Sequence, residues 1–139
     1  MPVPTRVLAA AQPLFEGEAE LVVAQGADGE LGILPQHAPL VTWLKPGELM
    51  VRQGGQDRHF FLEAAVLEVL PDRVTVLAES GQLSEQLDPE RAETARREAE
   101  EALSRGEPAP DQLEGLRRRL EVAERRLQAA ERSRRRQRS

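Results

Sequence analysis

Turn-forming residues divide the first half of the chain into short apolar segments. Between Thr5 and Gln86, strand-length pieces rich in β-branched and aromatic residues alternate with turn signals such as Gly26-Ala27-Asp28-Gly29 and Gly54-Gly55. From Val74 to Glu79, core-type residues occupy every second position, while the other face is only partly polar. This pattern predicts an antiparallel β-sandwich or flattened barrel over residues 1–86.

A second module, residues 87–139, begins where the apolar period changes from two to about 3.5. Asp88 is a good N-cap and Pro89 suits the first helical position, so the pattern predicts a helix over about 89–104.

A second helix follows a loop at 105–110 that contains Gly106, Pro108 and Pro110. Asp111 with Glu114 three residues later has the spacing of a capping box and predicts a helix over about 111–135. The two helices would form an antiparallel hairpin.

The predicted seam between the helices is rich in alanine. Its positions are Ala92, Ala95, Ala99 and Ala102 in the first helix and Leu113, Leu116, Leu120, Ala123, Leu127 and Ala130 in the second. Burying a methyl group stabilises far less than the ~1.5–3 kcal/mol of a buried leucine. The hairpin should therefore need docking, either permanently or as a switch between two arrangements.

The run Gly29 to Leu40 predicts a rigid surface loop. Its two glycines allow positive φ and its two prolines fix φ near −65°. Leu31, Ile33 and Leu34 are expected to anchor the loop to the core.

Charge is distributed unevenly along the 139 residues. Residues 1–110 hold 9 Lys/Arg against 19 Asp/Glu, whereas residues 111–139 hold 10 Arg against 5 acidic residues. The basic end indicates an acidic partner: a protein segment, a nucleotide, a nucleic acid or the chain's own first domain.

No pattern of catalytic residues is present. The chain has no cysteine and one lysine, Lys45, and its two histidines, His37 and His59, lack companions at metal-ligand spacing. The sequence therefore predicts a non-enzyme without a metal site. It also predicts neither a signal peptide nor a membrane span, and hence a soluble, cytosolic chain. Nucleic-acid binding is disfavoured because the basic helix has no aromatic residue for base stacking.

Several segments, taken in order, resemble the epsilon-subunit family of bacterial F-type ATP synthases. They are Glu30-Leu31-Gly32-Ile33-Leu34-Pro35, His37-Ala38-Pro39, Leu67-Glu68-Val69, Val74-Thr75-Val76-Leu77-Ala78 and Leu87-Asp88-Pro89-Glu90-Arg91-Ala92. The resemblance implies a non-catalytic rotor subunit whose β-sandwich lies at the foot of the central stalk and binds the gamma subunit and the c-subunit ring. It implies a peripheral membrane protein on the cytoplasmic face of the plasma membrane, without direct insertion.

The resemblance also implies residue roles. Contact with the c ring would involve Glu30, Gly32, Pro35 and His37. The hairpin could extend along gamma towards the catalytic alpha and beta subunits and restrain ATP hydrolysis. Contact with an acidic segment of a catalytic subunit would involve Arg117, Arg118, Arg125 and Arg126.

The resemblance implies a protein that requires no cofactor, but some members of the family bind regulatory ATP in the hairpin. The matching positions are Leu87, Asp88, Arg91, Ala92 and Arg125. Neutral Gln82 and Ala129 depart from the pattern of the members that bind ATP, and Pro89 is a residue shared with relatives that do not sense ATP. In the sandwich, Ala64-Ala65 stands where many relatives have a Gly-Gly pair. A free-standing protein-binding module with a dimerising hairpin remains the alternative.

Overall fold

The computed structural model describes residues 1–10, 12–106 and 109–138. They divide into two compact units, Met1–Ser84 and Glu85–Ser139. The first unit is built of strands and the second of two helices, which confirms the predicted fold class of a β-sandwich followed by a helical hairpin.

The described residues of the first unit form eight strands, most of which alternate buried and exposed side chains. In chain order they are β1 Val3–Ala9, β2 Gln12–Ala19, β3 Leu21–Gly26, β4 Gly29–Ile33, β5 Leu40–Leu44, β6 Gly47–Gln53, β7 Gln56–Leu70 and β8 Arg73–Leu83. They follow one another across the sheet in the order β2-β1-β8-β7-β5-β3-β4, and β6 pairs with β3 and β7.

Pairing is antiparallel except between β1 and β8, which run parallel. This exception to the predicted antiparallel arrangement joins the first and last strands of the unit. Parallel neighbours need a long connection, and the six intervening strands supply it.

Strand β7 belongs to both layers of the sandwich. Its first half pairs with β6 as far as Leu62, and its second half pairs with β5 from Ala65 onwards. Between them Ala64 is exposed and has a left-handed φ of 50°. Strand β8 pairs along both halves and holds them in one continuous ladder.

The core is filled by the inward-facing side chains of these strands. The rings of Phe15 and Phe60 meet edge to face with centroids 6.4 Å apart. The Arg58 guanidinium lies 5.7 Å from one ring centroid and 6.0 Å from the other. The largest fully buried aliphatic side chains are Ile33, Leu49, Leu67, Val7, Val22, Val51, Val69, Val74 and Val76.

Two α-helices, α1 Pro89–Ser104 and α2 Pro110–Gln137, pack together in the second unit, after a short 3₁₀ turn at Ser84–Gln86. The buried alanines of their seam include Ala92 and Ala99 of α1 and Ala123 and Ala130 of α2. The predicted seam position Ala95 is wrong, because this residue is exposed. Arg96 and Leu103 are half-buried, and their side chains offer more apolar surface than that of Ala95. The face of α1 that contacts α2 is therefore centred nearer to these two residues than to Ala95.

The start of α1 is capped as predicted. The Asp88 carboxylate accepts hydrogen bonds from the backbone N–H groups of Glu90, at 3.0 Å, and Arg91, at 3.4 Å. These bonds satisfy two donors that have no partner within the helix. Beyond the other end, Gly106 takes a left-handed φ of 70°, which terminates the helix.

The start of α2 differs from the prediction. Its N-cap is Ala109, which provides no side-chain cap, and Pro110 is the first helical residue. The predicted capping box is therefore wrong: Asp111 already lies inside the first turn, because Pro110 suits the first position and draws the helix one residue earlier. The predicted breaker Pro108 lies outside the described residues.

Replacing Asp88 by alanine tests the cap. We expect Asp88→Ala to lower the free energy of unfolding of the helical unit by about 1 kcal/mol, because two N–H groups lose their acceptor. Far-UV circular dichroism of the full chain against urea measures the change. Asp88→Asn keeps an acceptor oxygen and is the matched control, so equal losses in both variants would contradict the capping role.

Replacing Ala64 by glycine tests the kink in β7. We expect Ala64→Gly to raise the free energy of unfolding by about 1 kcal/mol, because glycine adopts a left-handed φ without a Cβ clash. The urea midpoint of the sandwich measures it. Ala38 is exposed and does not have a positive φ, so Ala38→Gly should not raise the free energy of unfolding. A stabilisation in the control but not at Ala64 would refute the explanation.

Candidate functional site

The predicted surface loop is shorter in the structure than in the sequence pattern. Residues Gly29–Ile33 form β4, which pairs with β3, and Leu40 already begins β5. Only Gly29 uses its freedom, with a φ of 132°, whereas Gly32 lies in the ladder opposite Val23. The exposed connection is therefore the segment 34–39, which we call the β4–β5 loop.

A tight turn forms the tip of the β4–β5 loop. The Leu34 carbonyl accepts a hydrogen bond from the His37 N–H at 3.1 Å. Pro35 supplies the fixed φ at the second position, and Gln36 follows with a φ of 68°. This is the arrangement of a type II turn, so the loop holds a defined shape.

Two side chains of the loop have defined orientations. The His37 Nδ1 lies 2.7 Å from the Ala38 carbonyl oxygen, which can only accept, so Nδ1 carries a proton. Leu34 is 60% exposed, and its predicted anchoring role is wrong. It follows buried Ile33, and successive side chains of a strand point to opposite faces. The partly buried anchor that does pack on the core is Leu31.

The four residues predicted to contact a c ring lie along one stretch of edge strand and turn. Glu30 and Gly32 are exposed on β4, which ends the strand order, and the Glu30 carboxylate accepts a hydrogen bond from Gln25 at 3.3 Å. Pro35 and His37 follow in the turn and are half-buried. Contact with a ring remains a prediction for all four.

A second exposed surface lies on the sandwich and was not predicted from the sequence. Trp43 pairs with Val66, Val66 with Leu77, and Leu77 with Leu8, so four apolar residues lie side by side on four adjacent strands. Trp43 is 70% and Leu77 53% exposed, and the other two are half-buried. We call this set the apolar row. Its sequence signal was the presence of apolar residues at outward positions of β5 and β8.

Next to the apolar row lies a more polar row on the same face. It contains Glu68, Thr75 and Arg6 in register, and the Arg6 guanidinium lies 3.3 Å from the Glu16 carboxylate. An exposed apolar strip beside a polar border is typical of a protein-binding surface.

Three of the residues predicted to bind ATP line two clefts: Asp88 and Arg91 lie in one, and Arg125 lies in the other. Asp88 is engaged as the cap of α1, and Ala92 is 2% exposed. Arg91 lines a shallow cleft of α1 and Arg125 a different cleft of α2. Leu87 is half-buried.

The charges of the two clefts do not suit a triphosphate. The α1 cleft is lined by Asp88, Glu90, Arg91, Thr94, Ala95 and Glu98. The α2 cleft is lined by Arg117, Leu120, Glu121, Glu124, Arg125 and Gln128. Carboxylates outnumber arginines in the first cleft and equal them in the second. Neither cleft offers an excess of positive charge, and regulatory ATP stays a prediction.

An ionic cluster centred on half-buried Arg96 lies on α1. Arg96 donates to Glu93, with an N···O distance of 2.6 Å, and also to Glu100. The hydrogen bond from Arg96 lowers the pKa of Glu93 below its ordinary value, and the pKa of Arg96 is raised. Because these groups are at least partly exposed to solvent, the contribution to stability is small.

The basic residues of α2 form the third candidate surface. Arg117 and Arg118 are exposed, and Arg125 and Arg126 are half-buried. From Arg125 to Arg138 the chain has seven arginines and a single acidic residue. This end of the helix can attract an acidic protein surface.

The described residues also lack two other kinds of functional feature. No cluster of three or more His, Cys, Asp or Glu side chains that could hold a metal ion occurs among them. Within the same residues, neither helix combines the length and apolar character that crossing a bilayer requires.

Comparison with known proteins gives consistent matches. The family model described as ATP synthase, Delta/Epsilon chain, beta-sandwich domain matches residues 3–83. An ATP synthase epsilon chain of Hydrogenovibrio crunogenus is 47% identical over 97 residues, covering 70% of this chain and 67% of its own length. One from Acidithiobacillus ferridurans is 42% identical over 104 residues, covering 75% and 74%.

Solved structures show the same fold. A chain of the Euglena gracilis mitochondrial ATP synthase, in a structure of OSCP, F1 and c-ring in rotational state 1, has a TM-score of 0.81 at 23% identity, covering 93% of this chain and 81% of its own. A chain of the Tetrahymena thermophila central stalk and c-ring has a TM-score of 0.68 at 11% identity, covering 94% and 97%.

Proposed function

Because the chain belongs to the delta/epsilon chain family of ATP synthase, whose epsilon chain is a non-catalytic subunit, we propose that it acts as a rotor subunit of the central stalk. In this role it couples the c-subunit ring to the gamma subunit, and its C-terminal hairpin restrains ATP hydrolysis by the catalytic alpha and beta subunits. The observation that carries the proposal is the family match over the whole sandwich, which bears two exposed surfaces suited to protein contact.

The apolar row is the surface that suits gamma. It lies on four paired strands, so its shape is held by the backbone ladder and binding orders little. Trp43 is the largest exposed side chain in it, and tryptophan is enriched among the residues that dominate interface energies. The polar row beside it would supply the rim.

The edge of β4 and the β4–β5 loop suit the ring. This surface offers the carboxylate of Glu30 and the imidazole of His37 to a polar protein loop. Gly32 and Pro35 define the backbone shape around them. Through this contact the chain would lie peripherally on the cytoplasmic face of the membrane, held by protein and not by insertion.

The hairpin suits a restraining role because its seam is weak and its end is basic. Four of its seam positions are alanines that bury a single methyl group each. A partner with differential affinity of a few kcal/mol could change its arrangement. Arg117, Arg118, Arg125 and Arg126 would then meet an acidic segment of a catalytic subunit.

Substitution of Trp43 tests the surface assigned to gamma. We expect Trp43→Ala to weaken binding of the full chain to gamma by about 10-fold or more, since it removes the aromatic centre of the row. Isothermal titration calorimetry measures the dissociation constant. Because Trp43 is 70% exposed, the unfolding midpoint should change little.

Gln56→Ala, at an exposed residue beginning β7, serves as the control for this experiment. It should bind gamma like the parent chain. Unchanged affinity of Trp43→Ala would remove the row from the interface. A parent chain that self-associates and fails to bind gamma at all would instead favour a free-standing dimerising module.

Removal of residues 88–139 tests the restraining role. We expect ATP hydrolysis by the assembled complex to rise about fivefold or more, because the basic helix can no longer reach the catalytic subunits. Alanine at Arg117, Arg118, Arg125 and Arg126 together should reproduce much of the rise. Arg105→Ala, beyond the end of α1, is the control. Hydrolysis that does not respond to the truncation would exclude the restraint.

A further inference from the structure

Gln36 occupies a backbone conformation that glycine would adopt at lower cost. Its φ is 68°, in the left-handed region, where an L side chain clashes with its own backbone. The third position of a type II turn normally carries glycine for this reason. Two other non-glycine residues in the described chain share this conformation, Ala10 and Ala64.

The fold does not account for the choice of glutamine. Gln36 is exposed, and its carboxamide makes no hydrogen bond with any described residue. The turn itself is closed by backbone groups of Leu34 and His37, which glycine at position 36 would leave in place. The side chain therefore lowers the stability of the free chain and contributes nothing visible to it. Such outliers cluster at active sites, ligand clamps and switch regions.

The surroundings of Gln36 define what it can recognise. The β4–β5 loop carries no charged residue, and Leu34 at the same turn is 60% exposed. A carboxamide provides both a donor and an acceptor, which matches the N–H and C=O of a peptide group. The tip thus offers an apolar contact next to a neutral hydrogen-bonding pair, and its chemistry suits the backbone of another polar loop.

We propose that Gln36 is a specificity residue for the contact with the c ring, in which its carboxamide hydrogen-bonds to main-chain amide and carbonyl groups of the ring. The proposal rests on the proposed rotor function and adds a residue that the family resemblance did not mark. The left-handed Gln36 destabilises the free chain and strengthens the contact with the ring. Ala10 and Ala64 have only a methyl group and cannot make such a contact.

The test measures stability and ring binding separately for the same variants. In Gln36→Gly the melting temperature of the full chain should rise by about 4 °C, because the clash is removed. Affinity of the full chain, in complex with gamma, for the immobilised c ring should fall about 2- to 10-fold, the effect of losing one or two hydrogen bonds. Gln36→Ala should lose the same affinity without gaining stability.

The matched control is Ala64→Gly, which relieves the same kind of backbone clash outside the loop. It should raise the melting temperature similarly and leave ring binding unchanged. If Gln36→Gly binds the ring as tightly as the parent chain, the inference is overturned. If Glu30→Ala and His37→Ala weaken binding in that case, the proposed function survives without it. Failure of the parent complex to bind the ring would overturn both.

Discussion

Both layers of the sandwich depend on the continuous hydrogen bonding of β7. One half of this strand pairs with β6, the other with β5, and β8 pairs with it from Phe60 to Leu70. Its inward side chains, including Phe60 and Leu67, are buried in the core, so its outward positions are determined by the alternation of the strand. Val66 is one of these, and the apolar row exists because the neighbouring strands align their own outward residues with it.

Packing is stronger within the sandwich than within the helical hairpin. The sandwich buries phenylalanine, leucine, isoleucine and valine, whereas the contact of α1 with α2 rests largely on alanine methyl groups and half-buried leucines. Apolar burial stabilises in proportion to area, so the first unit is a rigid support and the second is a weaker module. This division suits a chain that would hold two partners constantly through its sandwich and act on a third through its hairpin.

Sequence patterns predicted well where one local signal dominates. The change of period after Gln86 separated sheet from helix, and Asp88 capped α1 as expected. The errors occurred where two local signals competed or where packing decided. Pro110 started α2 before Asp111 could cap it. Ala95 was displaced from the seam by larger neighbours, and Leu34 was turned outwards by the strand that precedes it.

By itself the sequence determined the class of fold and the two-part organisation, because periodicity and turn residues are local properties. Tertiary structure alone decided which outward residues meet. Trp43 and Leu8 are 35 positions apart and lie in one row only because β7 and β8 pair in a particular register. Register depends on hydrogen bonds between distant parts of the chain, which no local pattern contains.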